Sequence, residues 1–106
     1  MRSHSLVLLF VFAIFNQVQA QGQTIAFDKR KGNCLACHAI AGGVSAGNIG
    51  PELKNMQARY PNKALLRQRI WDNTQFNPMT VMPPFGRYKI LSEYEIDLVV
   101  DYIYTL

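Results

Sequence analysis

The chain has 106 residues, a length that suits one small domain and leaves no room for a second. Its formal net charge is +4. Its 11 Lys and Arg residues are scattered along the sequence, which argues against the clustered basic face of a nucleic-acid-binding protein. The only basic run is Lys29-Arg30-Lys31. We interpret it as a solvated surface, with a docking patch for an acidic partner as the alternative.

The first twenty residues have the pattern of a secretory signal. Arg2 supplies the positive start, residues 6–15 are an unbroken apolar run, and Val18-Gln19-Ala20 ends the segment with small residues. This predicts cleavage after Ala20, a domain over residues 21–106 and a periplasmic location. The alternative is an uncleaved membrane anchor, but the apolar run is only half of the roughly 20 residues that a span needs. Loss of Arg2 would lower the net charge to +3.

A domain over residues 21–106 is short of core. Domains below about 70–80 residues usually need disulfides, a metal or a cofactor to fold stably, and this one is only slightly longer. Its two cysteines are three positions apart and would close too small a loop to add much stability. The sequence therefore predicts that a large apolar cofactor fills the interior.

The first half of this domain predicts little regular structure. Residues 21–26 are expected to be a loose N-terminus. Residues 27–34 suggest a short helix, and residues 53–59 suggest another. Between them, residues 39–51 are rich in glycine and are expected to form a loop.

The second half predicts two helices separated by a long loop. Asn62 is a good N-cap for a helix over about 63–73, and residues 75–89 contain three prolines, which favours an extended loop. Ser92 and Glu95 form a capping box for a last helix. Its apolar residues follow at i, i+3, i+4 and i+7 and are Ile96, Val99, Val100 and Ile103. The expected fold is all-α, with short helices and two long loops.

The segment Cys34-Leu35-Ala36-Cys37-His38 carries the most specific chemistry in the chain. Its C-x-x-C-H spacing predicts covalent haem attachment, with two thioethers from Cys34 and Cys37 and an imidazole ligand from His38. A structural zinc site needs four ligands, and the predicted mature domain supplies only two cysteines and one histidine of the usual kind. A thioredoxin-like dithiol needs a strand–helix context that the sequence lacks, and a simple disulfide remains an alternative.

The histidine count limits the number of haems and their ligands. His4 lies in the predicted signal, so His38 is the only histidine of the predicted mature domain. We therefore expect one haem c, whose second axial ligand is not histidine. The remaining possibilities for the second axial position are methionine, lysine or no protein ligand at all.

Three methionines are candidates for the second axial ligand. Met82 precedes Pro83-Pro84 in the predicted extended loop, where a rigid backbone could hold a thioether against the iron, and we favour it. Met79 follows Pro78 in the same loop and is the second candidate. Met56 lies in a predicted helix and is expected to be packing.

Other residues are candidates for holding the haem and its histidine. A haem histidine usually donates its second ring N–H to a backbone carbonyl, and Pro51, at the end of the glycine loop, is a candidate for that carbonyl. Trp71, Arg67 and Arg69 are candidate partners of the haem propionates. The alternative, which we favour, places Trp71 in the core and both arginines in water.

The sequence around the motif resembles the SoxX family, the small monohaem cytochrome c subunit of the SoxAX thiosulfate-oxidising complex. The resemblance covers nearly all of residues 21–106. It rests on Lys31-Gly32-Asn33, on Asn48-Ile49-Gly50-Pro51, on the C-terminal segment 96–106, and above all on Asn77-Pro78-Met79-Thr80-Val81-Met82-Pro83-Pro84-Phe85-Gly86.

This resemblance implies a small class I cytochrome c-like domain with haem on Cys34 and Cys37 and with His38 and Met82 as axial ligands. It also implies a periplasmic heterodimer with SoxA. That complex is an L-cysteine S-thiosulfotransferase, which oxidatively conjugates thiosulfate to a cysteine of the carrier SoxYZ. Catalysis is expected in SoxA, and this chain would pass the released electrons to a downstream cytochrome c. The alternatives are a free-standing diffusible cytochrome c and an enzyme with an open haem position.

Overall fold

The structure, a computed structural model, describes residues 2–106. Its α-helices are α1 (Arg2–Phe27), α2 (Met56–Arg59), α3 (Lys63–Trp71) and α4 (Glu93–Ile103), with 3-10 turns at Cys34–Ala36 and Asn73–Gln75. No strand occurs within residues 2–106. The predicted all-α class is confirmed.

Helix α4 is the central element of the core. The predicted capping box is present: the Ser92 hydroxyl accepts from the Glu95 N–H at 3.1 Å, and the Glu95 carboxylate accepts from the Ser92 N–H at 3.1 Å. The four periodic residues of α4 are all buried: Ile96, Val99, Val100 and Ile103. Burying this apolar face supplies most of the driving force for docking α4.

Helix α3 begins where the sequence predicts. The Asn62 side chain accepts from the Ala64 N–H at 3.0 Å and caps its first turn. The helix ends at Trp71, two residues early, because Asp72 is extended and its carboxylate accepts from the Thr74 N–H to start the next turn. Ion pairs from Lys63 to Asp101 and from Arg67 to Asp97 connect α3 to α4.

The prediction of a loose N-terminus over residues 21–26 is wrong. These residues form the last turns of α1 and cross α4 at Gly22. A Cβ atom on Gly22 would lie 2.2 Å from the Leu98 carbonyl oxygen and 2.7 Å from the Tyr102 Cβ. Ala26 is fully buried, and the Phe27 ring packs edge-on against Tyr102. Packing against α4 therefore orders a segment whose own sequence carries no strong helix signal.

The predicted helix over residues 27–34 is also wrong. Helix α1 ends at Phe27, and the chain turns back so that the Gly32 N–H donates to the Ile25 carbonyl at 3.1 Å. The Asp28 carbonyl accepts from the N–H groups of Lys31 and Asn33, which leaves Asn33 in the left-handed region at φ 49°. Asparagine tolerates that region better than most residues.

The glycine loop over residues 39–51 contains no helix, as predicted. Helix α2 is shorter than predicted and begins at Met56. The preceding residues extend instead, since the Leu53 N–H donates to the Ala39 carbonyl at 2.9 Å and Asn55 is left-handed at φ 53°.

The N-terminal part of α1 is exposed along residues 6–15. Over Leu6–Phe27 the helix is long and apolar enough to cross a membrane, a property that signal sequences share. Cleavage after Ala20 stays a prediction.

An ion pair connects the segment before Cys34 to the start of α4. The Lys31 ammonium donates to the Glu95 carboxylate, whose other oxygen completes the capping box. The hydrogen bond from Lys31 holds the pKa of Glu95 below its usual range, with the Ser92 N–H as the second lowering cause.

Gly22→Val is expected to destabilise the haem-loaded protein by about 2 kcal/mol or more, because α1 must move away from α4 to admit the side chain. Denaturant unfolding measures the difference. Thr24→Val introduces the same side chain at an exposed position of the same helix and is expected to cost less than about 0.5 kcal/mol. Equal stability of the two variants would contradict the close crossing.

Glu95→Gln is expected to lower stability at neutral pH and to make no difference at low pH. The folded pKa of Glu95 lies below its unfolded value, so its contribution is fully present above about pH 4.5 and is lost as the pH falls through the folded pKa. Glutamine still serves in a capping box, so the variant mainly removes the ion pair with Lys31.

Unfolding midpoints of wild type and Glu95→Gln between pH 3 and pH 7 test this. The two curves should converge as the pH falls. Glu93→Gln, in the same helical turn, is the control and should follow the wild-type curve. A constant gap at all pH values for Glu95→Gln would contradict the pKa shift.

Candidate haem site

Two adjoining cavities, of about 220 and 560 Å³, lie between the Cys34–Ala36 turn, the glycine loop and the Met82 segment. The larger one falls within the range of roughly 300–1,000 Å³ that is typical of small-molecule sites. The two cavities share seven of their lining residues: Gly32, Cys34, His38, Pro51, Asn73, Met82 and Phe85.

The 3-10 turn brings the three predicted attachment residues to one cavity. The N–H groups of Cys37 and His38 both donate to the Cys34 carbonyl, at 3.2 and 2.9 Å. Cys34, Cys37 and His38 therefore all line the larger cavity, with both thiols free. Burial raises the pKa of the Cys34 thiol to about 11, so this thiol is neutral at physiological pH.

Two residues before the motif explain why the turn sits there. Gly32 lies against α1: its Cβ would be 3.0 Å from the Ile25 carbonyl and 3.3 Å from the Cys34 Sγ. Asn33, left-handed, then starts the turn. A larger residue at position 32 would push the thiol segment away from α1.

The His38 ring is oriented by the glycine loop. Its Nδ1 lies 2.6 Å from the Pro51 carbonyl oxygen, the contact that the sequence suggested. A carbonyl only accepts, so Nδ1 carries the proton and Nε2 keeps a free lone pair, as an iron ligand requires. Gly50 makes the approach possible, because a Cβ there would lie 2.4 Å from the ring Cε1.

The three methionines occupy different environments. Met82 is half-buried and lines both cavities. Met79 lines only the larger cavity and is 86% exposed. Met56 is 1% exposed and belongs to the hydrophobic core, with a wall position in the smaller cavity. Of the three, Met82 alone combines partial burial with access to both cavities.

The segment that follows Met82 is anchored to the end of α3. The Gly86 N–H donates to the Trp71 carbonyl at 3.1 Å, and a Cβ on Gly86 would lie 2.0 Å from the indole. Next to this contact, the Arg87 guanidinium lies 3.3 Å from the carboxylate of Asp72, which is 2% exposed. Hydrogen bonds from Thr74 and the Arg87 charge hold the pKa of Asp72 below its usual range.

The polar residues that line the smaller cavity include Arg59, Tyr60, Arg69 and Asn73. Of the predicted propionate partners, only Arg69 lines it. Arg67 instead pairs with Asp97 at 2.8 Å and lies over the Trp71 ring, and neither Arg67 nor Trp71 lines a cavity. Sequence reasoning missed Arg59 and Asn73, since neither belongs to a motif.

These residues fit a covalently held haem. Two free thiols and an imidazole with an available Nε2 line the larger cavity. The adjoining smaller cavity has mostly apolar walls, and the two arginines that line it, Arg59 and Arg69, suit the two propionates. Within residues 2–106, no three His, Cys, Asp or Glu side chains group closely enough to hold a bare metal ion.

Comparison with known proteins agrees with this arrangement. An uncharacterized lipoprotein of Aquifex aeolicus (strain VF5) is 33% identical over 76 residues, which are 71% of this chain. The chain spans only 37% of that protein's length. Residues 19–106 match the family described as Cytochrome c, whose members carry covalently bound haem c. The match includes the motif, the glycine loop and α2–α4, and the chain therefore belongs to the cytochrome c family.

Proposed function

We propose that this cytochrome is the electron-transfer subunit of a thiosulfate-oxidising complex of the SoxAX type. It holds one haem c through Cys34 and Cys37, with His38 and Met82 as axial ligands. The observation that carries the ligand assignment is that one cavity is faced by both thiols, by an imidazole with its Nδ1 bonded to Pro51, and by Met82.

The haem supplies one-electron exchange at its iron. The residues of the chain set the conditions for it. The Pro51 carbonyl keeps the His38 ring in one orientation. Met82 contributes a thioether, which raises the reduction potential relative to a harder ligand. Apolar walls, including Leu66, Ile70 and Val99, exclude water from the site.

The mouth of the larger cavity supports docking to a redox partner. Ile49, Met79 and Val81 are exposed apolar side chains at this mouth, and the basic residues Lys29 and Arg30 lie on the same rim. An apolar patch with a charged rim is the usual composition of a transient protein interface. SoxA is the partner we propose, because the segment around Met82 resembles the SoxX family.

In this proposal SoxA carries out the conjugation of thiosulfate to the SoxYZ cysteine. The present chain receives the released electrons and passes them to a downstream cytochrome c. This gives it a role in an L-cysteine S-thiosulfotransferase without a catalytic residue of its own.

The folding of α1 supports export with signal cleavage. Gly22 and Ala26 are both closely packed in the folded domain, and both lie after Ala20. The freely exposed apolar run of residues 6–15 is about 15 Å long as a helix, half the thickness of a bilayer core. The helix reaches the length of a span only when it includes residues up to Phe27, and Gly22 and Ala26 in that part are packed in the domain. A lipoprotein among its relatives is compatible with export. We propose a periplasmic location.

The second candidate function is a free-standing electron carrier. The same apolar mouth with basic residues on its rim would serve a diffusing cytochrome that meets an acidic partner. The two functions differ in whether a stable complex forms.

Met82→Ala is expected to abolish the iron–sulfur charge-transfer band of the oxidised protein and to lower the reduction potential, because the thioether ligand is removed. Absorption spectra and redox titration measure both. Met79→Ala is the matched control from the same loop and should keep the band, since its side chain is largely exposed. Loss of the band in Met79→Ala alone would show that the ligand is misassigned.

Periplasmic extracts purified through a tag on this chain are expected to yield a one-to-one complex with a larger haem protein. The chain expressed without SoxA should transfer electrons but should not conjugate thiosulfate to SoxYZ. A monomer in the pull-down would favour the free-standing carrier. Conjugation by the isolated chain would refute the division of labour between the two subunits.

A further inference from the structure

A line of hydrogen bonds runs from Arg69, which lines the smaller cavity, to the backbone of Met82. The Arg69 guanidinium donates to the Asn73 side-chain oxygen at 3.3 Å. The Asn73 side-chain nitrogen donates to the Thr80 hydroxyl at 3.0 Å, and the Met82 N–H donates to the same hydroxyl oxygen at 3.2 Å.

The chemistry of Arg69 fixes which group donates in each of the two side-chain hydrogen bonds that Asn73 makes. A guanidinium has no acceptor, so the Asn73 oxygen must face Arg69 and its NH₂ group must face Thr80. Arg69 is itself held in place, since its guanidinium carbon lies 4.1 Å from the centre of the Phe76 ring. The orientation of the Asn73 amide therefore follows from the chemistry of its neighbour.

Both lone pairs of the Thr80 oxygen are consequently occupied, one by the Asn73 amide and one by the Met82 N–H. Neither contact uses the hydroxyl hydrogen, and Thr80 itself lines the larger cavity. The segment between Asn77 and Met82 contains no helix, so this side chain takes the place of a regular backbone ladder there.

We infer that Thr80, oriented by Asn73 and Arg69, is a positioning residue that holds Met82 at the haem iron. The inference rests on the proposed ligation by Met82. Asn73, just after the end of α3, donates to the Thr80 hydroxyl in the loop. The same hydroxyl accepts from the Met82 N–H and so fixes the backbone of Met82. Without the hydroxyl, the loop keeps its anchors at Trp71 and Asp72 but loses the contact next to the ligand itself.

Imidazole binding to the oxidised, haem-loaded protein tests this, because imidazole must displace Met82 to reach the iron. Thr80→Val is expected to bind imidazole about tenfold more tightly than wild type, the size of one lost hydrogen bond. Thr80→Ser keeps the hydroxyl and should restore the wild-type affinity. Asn73→Leu should bind imidazole more tightly than wild type but less tightly than Thr80→Val, since the Met82 N–H bond survives.

Thr105→Val is the matched control, because its hydroxyl bonds to the Tyr102 carbonyl at the end of α4, and it should bind imidazole as wild type does. Wild-type affinity in Thr80→Val overturns the inference, and this holds even if the variant unfolds more easily. Equally tight binding in Thr80→Ser and Thr80→Val also overturns it, because the hydroxyl would then not be the cause.

Met82→Ala separates this inference from the proposed function. If Met82→Ala keeps the iron–sulfur band, the ligand assignment is wrong and the proposed function fails with it. If Met82→Ala loses the band while Thr80→Val behaves as wild type, only the role of Thr80 fails.

Discussion

The crossing of α1 and α4 at Gly22 determines where the attachment motif lies. With no side chain on Gly22, the two backbones approach so closely that Leu98 and Tyr102 pack directly against α1. The turn after Phe27 then folds back on Ile25, and Lys31 pairs with Glu95 at the start of α4. The thiols of the motif are thereby held in a fixed position relative to α4, whose Val99 and Ile103 form part of the cavity wall.

The opposite part of the site depends on α3 and not on α1. Trp71 and Asp72 end α3 and bind Gly86 and Arg87, which brings the chain back after Met82. Asn73 contacts the same loop on the other side of Met82 through Thr80. Two ion pairs join α3 to α4. Both parts of the site are therefore held in place by contacts with α4. A loop with few buried apolar residues of its own, such as this one, needs such anchors to keep a side chain in place.

Membership in the cytochrome c family explains the haem-binding interior of the protein. The choice of redox partner depends on its surface. The fold supports electron transfer with many partners, so the identity of the partner must reside in exposed residues. Here those are the apolar side chains Ile49, Met79 and Val81 at the cavity mouth, next to Lys29 and Arg30. Because they are exposed, substitutions there cost the fold little, and these residues can adapt to the partner that we propose.

The amino-acid sequence alone determined the features that depend on neighbours along the chain. The C-x-x-C-H spacing, the caps at Asn62 and Ser92 and the apolar period of α4 are local patterns, and the fold class, α4 and the start of α3 followed from them. Residues 21–26 were misjudged because their helix is stabilised by contact with α4, far away in sequence. Arg59 and Asn73 stayed undetected as site residues for the same reason: polar side chains in no motif acquire a role only when folding places them at a cavity. Thr80 lies within the Asn77–Gly86 segment, but its contacts with Asn73 and Met82 form only in the folded chain. Local hydrogen bonding and periodicity can be read from sequence, whereas a close helix crossing or a shared cavity exists only once distant segments have met.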